Sequence, residues 1–435
     1  MSGVPAATAP RHPLRLSAIS VLLAGLATFA PRVALAEGAA GEASDDPAQP
    51  AAVRDTEQTR EGRPWATLSP DVRVSSGTPG LDEITETNVP ATLAAFPFAG
   101  GRVTLLGSPT FLSAGSLPGD ADNQSSFGSA AFGGRQPPPR QHAEGVGFNA
   151  AYEQDWVRAD IGSTPFGFPL QSVLGGVELS PDLTDALQLR LSAERRVVND
   201  SVLSYAGTRD TAGNTLWGGV TRTGASAQLE LSLGRANFYA GGGWASLMGT
   251  RVAANATTEF SAGGAYPVWS NGSGVAELGL DLVYFGYRKN LRFFTLGQGG
   301  YFSPQSYFAA LVPVSYTAHS GDLTWSVKAA IGYQVYHENA SPVFPDDPAL
   351  QSLLVVRRGG PTGLISNAAK NAAGITDSAL ASLEWRLSPT WSLGGRVGYQ
   401  HAGDWTEVAG SLYARYSLGA EEGHRAKGTG LATRR

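Results

Sequence analysis

Cysteine is absent from the 435 residues and methionine occurs only twice, so neither a disulfide framework nor a thiolate metal centre is available. An excess of one charge is also missing: the formal net charge is −5, a slight acidity that gives no basis for binding nucleic acid. Long apolar runs are scarce. One follows Arg11 and Arg15, LSAISVLLAGLATFA, and Pro31 and Arg32 cut it short of the roughly 20 residues a spanning helix requires. A basic start, an apolar stretch and Ala34-Leu35-Ala36 before Glu37 together mark residues 1–36 as a cleaved export signal. No later run is long enough to cross a bilayer as a helix, so residence in a membrane would fall to strands. Catalytic strings are missing too. Of the six histidines, His12 lies in the signal and His424 in the tail, none of the others sits beside a nucleophile and an orienting acid, and no dinucleotide fingerprint is present. The expectation is no catalytic residue, no metal and no cofactor.

What is present changes character along the chain. Residues 37–98 open with Ala, Pro, Gly, Asp and Glu in a mixture that buries too little apolar surface to fold alone, and they read as a largely disordered periplasmic lead. Residues 99–419 show period two. In ALQLRLSAERRV, Leu187, Leu189, Leu191 and Ala193 alternate with Gln188, Arg190, Ser192 and Glu194, which places apolar and polar sets on opposite faces of a strand. Trp325, Val327, Ile331, Tyr333 and Val335 alternate with Ser326, Lys328 and Gln334 in the same way, and Val408, Leu412 and Tyr416 with Glu407 and Arg415. Soluble sandwiches alternate as well. Connections decide between the classes, because short turns such as Gly234-Arg235, Ser320-Gly321-Asp322 and Ser388-Pro389-Thr390 take turns with long loops, the asymmetry of outer-membrane barrels. The fold expected is all-β: a transmembrane antiparallel up-and-down barrel of about fourteen strands on this count, with both termini in the periplasm and a tail at 420–435.

The polar face then becomes a lumen wall carrying Gln188, Arg190, Glu194, Glu277, Asp281, Lys328, Gln334, Glu384, Arg386, Arg396 and Arg415. Neither sign dominates, which suits a neutral, hydrated cargo better than an ion selected by a ring of like charge. At the extracellular end two long loops carry aromatics. Tyr205, Arg209, Asp210 and Trp217 belong to the first; Phe293, Phe294, Gln298, Tyr301 and Phe302 belong to the second, NLRFFTLGQGGYFSPQSYF. Aromatic faces beside hydrogen-bonding groups would suit a sugar chain passing the exit. The alternative is that these rings are the loops' own small core or part of the interfacial girdle, and composition favours it.

These strings also carry a resemblance. ERRVVNDSVLSYAGTRD with WGGV, NLRFFTLGQGGYFSPQSY and, earlier, RADIGSTPFGFP resemble the C-terminal outer-membrane domain of the cellulose synthase operon protein C family, in the same order from about Leu81 to Gly419. The resemblance implies a sixteen-stranded barrel that conducts a β-1,4-glucan outward as part of a cellulose secretion system, with the aromatic loops bordering the exit. Typical members carry tetratricopeptide repeats of about 34 residues before the barrel. The lead has neither the length nor the pattern for them, so the expected partners are a separate periplasmic scaffold and an inner-membrane synthase, besides the glucan and outer-membrane lipid. A general diffusion porin is the alternative, and an outer-membrane barrel enzyme a third.

Overall fold

A computed structural model describes residues 64–98, 101–132, 140–210, 212–359 and 363–418; the signal segment, residues 37–63 of the lead and the tail lie outside these described residues. Sixteen antiparallel staves close into a barrel. The first two are each in two pieces: β1 is Trp65–Leu68 with Asp71–Ser75, and β2 is Ile84–Asn88 with Ala91–Phe98. Then follow β3 (Gly101–Ser116), β4 (Arg140–Gln154), β5 (Val157–Phe166), β6 (Val173–Leu179), β7 (Leu187–Val197) and β8 (Leu216–Leu233). The second half comprises β9 (Ala236–Thr250), β10 (Val252–Ser270), β11 (Gly274–Tyr287), β12 (Ser306–Ser320), β13 (Leu323–Glu338), β14 (Lys370–Arg386), β15 (Trp391–Ala402) and β16 (Trp405–Ser417). Closure is made by β1 on β16, with Trp65 opposite Ser417 and Ser75 opposite Glu407. No sheet edge is left for another chain to add to along the closed wall.

Two expectations need correction. The barrel begins at Trp65, not at residue 99, because the later part of the supposed lead forms β1 and β2 and brings the count from about fourteen to sixteen. Pro70 and Pro90 interrupt these staves, each lacking an N–H for the ladder. Their carbonyls still accept, from Leu412 N at 3.1 Å and Ser69 N at 2.9 Å, so the wall continues across both breaks. A tight turn at Arg251, which adopts φ 51°, joins β9 to β10.

Alternation sets the two faces. Ile331 is 59% exposed and Leu412 71%, both on the outer surface with Leu191, Leu278, Leu383 and Val408, whereas Ser326, Lys328 and Gln334 on the same staves are buried inward. Aromatic pairs ring one rim. Trp269 meets Tyr316 at 5.9 Å, Tyr316 meets Trp325 at 5.1 Å and Trp391 meets Tyr416 at 4.9 Å, the girdle that marks a membrane interface. That rim carries the short turns and both ends of the described barrel, and so faces the periplasm. At the opposite rim the connections differ in length: those after β3, β7, β11 and β13 are long, and those after β1, β5, β9 and β15 are short.

Candidate functional site

The inward wall is a set of paired charges. Arg196 forks onto Asp160 at 2.7 and 2.9 Å and reaches Glu194 at 3.3 Å, while Arg222 bridges Glu194 at 3.4 Å and Glu259 at 2.6 Å. Arg190 spans Glu230 at 3.0 Å and Glu178. Gln188 donates to Asp182 at 3.0 Å, and Glu277 accepts from Ser315 at 3.2 Å. Asp281 accepts from Tyr239 at 2.8 Å, Gln334 from Tyr307 at 2.8 Å and Glu384 from Tyr413. The Arg415 guanidinium lies 4.9 Å from the centre of the Trp65 ring; Lys328 is buried on this face, and Arg386 and Arg396 remain exposed on it. Each sequence-predicted wall residue thus shares the inner face, and that face's arginines on β7 and β8 are paired with carboxylates on their own stave or one or two staves around.

Loops close over the mouth above this wall. After Val197 the chain turns inward, and Ser201 caps a short helix, Val202–Ala206, through a reciprocal box with Ser204. Helical spacing brings Val202, Tyr205 and Ala206 against the inward side chains Ile84, Leu112, Ala114 and Ala143, with Phe168 meeting Tyr205 edge to face at 5.1 Å. Leu203 enters a second cluster with Phe127, Trp217, Leu291, Phe294 and Tyr301, all buried. Gly218 makes this approach workable: it sits at φ 105°, and a Cβ there would lie 2.3 Å from the Leu203 carbonyl oxygen.

Polar ties lock the loops to one another. Ser201 Oγ donates to the Gly300 carbonyl at 2.7 Å, and Asp200 accepts from the Phe302 amide at 3.0 Å. Asp210 accepts from Ser129 Oγ at 2.7 Å and from the Gly213 amide at 3.0 Å. Phe127-Gly128 pairs in parallel with Phe294-Thr295. Gln298 donates to the Pro342 carbonyl at 2.8 Å, and Asn290 to the Asn339 carbonyl at 3.0 Å, which brings the loop after β13 into the same assembly. Its Val343, Phe344 and Leu354 pack with Ala131. Burial pushes the Tyr301 phenol up, so it stays neutral while accepting from Asn255 at 3.0 Å.

Burial thus favours the reading of these rings as the loops' own core. Tyr205, Trp217, Phe294 and Tyr301 are packing groups of the closed mouth, and Gln298 and Asp210 are its ties. Phe293 and Phe302 are half-buried, Phe302 standing edge to face with Tyr336 at 5.1 Å, and Arg209 alone of the set is exposed, its guanidinium 3.4 Å from the Asn214 carbonyl oxygen. The sequence reading missed Arg73, Glu86 and Asn199. Arg73 donates to Glu86 at 2.7 Å, to Glu407 at 3.2 Å and to the Asn199 carbonyl at 2.9 Å, joining three staves to the inserted loop. The alternation in DVRVS, with Val72 and Val74 on the outer face, was the available signal.

Residues 82–419 match the family described as cellulose synthase operon protein C C-terminus. Cellulose synthase 2 operon protein C of Komagataeibacter xylinus is 42% identical over 352 residues, covering 80% of this chain and 26% of that protein. Cellulose synthase operon protein C of Pseudomonas fluorescens (strain SBW25) is 33% identical over 349 residues, 79% of this chain and 26% of its own length. The chain thus spans about a quarter of the length of these relatives. Among solved structures, a bacterial polysaccharide outer membrane secretin superposes with a TM-score of 0.51 at 10% identity, over 82% of this chain and 99% of that one, a likeness of fold.

Proposed function

The chain belongs to the cellulose synthase operon protein C family, and from that premise we propose that it is the outer-membrane channel through which a β-1,4-glucan leaves the cell. The observation that carries this reading is the barrel's inner face, polar and charge-paired along β5 to β10, beneath a mouth closed by folded loops. A neutral, hydrated chain gains nothing from a ring of one charge, and alternating pairs leave no net field to hold or repel it. The wall's carboxylates are engaged with arginines and hydroxyls, which favours a conduit over an enzyme. The cargo would come from an inner-membrane synthase, with a separate periplasmic scaffold aligning the two. Deleting the gene and restoring it tests the reading: secreted cellulose should vanish and return. Unchanged secretion together with impaired uptake of small solutes would favour a general diffusion porin instead.

A further inference from the structure

The loop that closes the mouth is fastened to the barrel wall at one place that differs in kind from its apolar packing. Arg73 projects inward from β1 and is 4% exposed, between Glu86 of β2, which is fully buried, and Glu407 of β16, which is 5% exposed. Its Nε and Nη2 both donate to Glu86 Oε2, at 3.1 and 2.7 Å, and its Nη1 donates to Glu407 Oε2 at 3.2 Å, an oxygen that also accepts from Ser75 at 2.6 Å. Two carboxylates thus fix the guanidinium in orientation. Nη2 also donates to the Asn199 carbonyl at 2.9 Å, and that residue opens the inserted segment, two positions before the helix cap Ser201. The bond joins residues 126 apart in sequence.

Asn199 is held there against its own chemistry. Its side chain is 0% exposed, and neither its Nδ2 nor its Oδ1 has a hydrogen-bonding partner among the described residues. A buried amide without partners is penalised relative to one in water, so this residue favours any state in which the segment lifts out. Its main chain is drawn inward by a cation of the wall, while its side chain pulls toward solvent.

We propose that Arg73 is a positioning residue that latches the 198–210 segment in the closed mouth, and that the unpartnered Asn199 amide is the opposing element that lets the latch release. The proposal rests on reading the barrel as a conduit, but its readout is ionic current and is independent of which cargo passes. A hydrogen bond to a charged donor outweighs a neutral one, so the closed state prevails with Arg73 in place. Release of the Asn199 carbonyl exposes the amide to water in the same movement, which makes opening a two-position event.

Adjacent positions in the lock should therefore act with opposite sign. Purified barrel in planar bilayers should show a rise of roughly tenfold or more in open probability for Arg73→Met, the scale of losing one hydrogen bond to a charged group. Asn199→Leu should lower it below wild type, because an apolar side chain has no drive toward water. Heat-modifiable migration reports folded barrel for each variant. A folded Arg73→Met with wild-type current overturns the proposal, as does an Asn199→Leu that leaves the current unchanged or raises it, the result expected if both residues were mere packing. Should Arg73→Met fail to fold, Arg73→Met combined with Glu86→Gln and Glu407→Gln removes the stranded carboxylate charges as well. Increased open probability in that variant supports the latch; a closed barrel, or failure to fold, overturns it and leaves the cluster as part of the wall.

Discussion

Phe127, in the connection after β3, meets the indole of Trp217, at the start of β8, edge to face at 5.3 Å. The contact joins two connections separated by four intervening staves, and Trp217 is fully buried with an Nε1 that has no partner among the described residues. Trp217→Ala should cost about 3–5 kcal/mol of local packing, a scale sufficient to open the loop assembly, while Trp217→Phe should keep most of the apolar contact and remove the unpartnered N–H. Protease nicking of intact cells should rise for the alanine variant and stay near wild type for the phenylalanine variant. Equal nicking in both would show that the indole's size, not its apolar surface, holds the mouth.

The facing of the staves predicts a second pair. Ile331 stands 59% exposed on the outer surface, and Ile331→Arg should cost about 2–4 kcal/mol where the site lies near the bilayer midplane. Gln188 faces the lumen beside Asp182, so Gln188→Arg gains a carboxylate partner and should assemble normally. The yield of heat-modifiable barrel in outer-membrane fractions separates the two; equal losses would mean that the faces are reversed or mixed.

Closure on β1 predicts where truncation becomes lethal to the fold. A chain lacking residues 38–58 should still insert, whereas one lacking 59–75 leaves β16 and β2 without the stave that joins them. Retention of folded barrel in both truncations would show that β2 can pair with β16 directly.

How far the sequence was legible follows from the range of each signal. Leu187 to Glu194 alternate without interruption, and that period alone assigned β7 and the facing of Arg190. Pro70 and Pro90 cut β1 and β2 into pieces of four to eight residues, too short for the alternation to stand out beside an Ala-rich lead. Aromatic loops posed a different difficulty, because Tyr301 in a packed core and Tyr301 on an open surface have the same local sequence. Burial depends on Leu203 and Phe127, which arrive from other loops. The Arg73 to Asn199 bond lies beyond any local pattern.

The last prediction separates packing from passage at the exit. Phe294 and Tyr301 are 5% and 2% exposed in one cluster, so Phe294→Ala should cost about 3–5 kcal/mol and loosen the loops, and Tyr301→Ala should also remove one of the two acceptors of the Asn255 amide, leaving it the Lys289 carbonyl. Phe302 is half-buried against Tyr336, with Arg292 5.9 Å from its ring centre, so Phe302→Ala removes less packing and leaves the Asp200 tie to its main-chain amide in place. Secreted glucan and loop protease resistance would be measured on the same cells. For Phe294 and Tyr301 the two quantities should change together, since a loosened mouth alters both. For Phe302 the loops should stay resistant, and a fall in export under that condition would identify this ring as a contact for the passing chain. Unchanged export and unchanged resistance in Phe302→Ala would leave the ring with no part in passage and confine the aromatic side chains of this loop to holding the mouth closed.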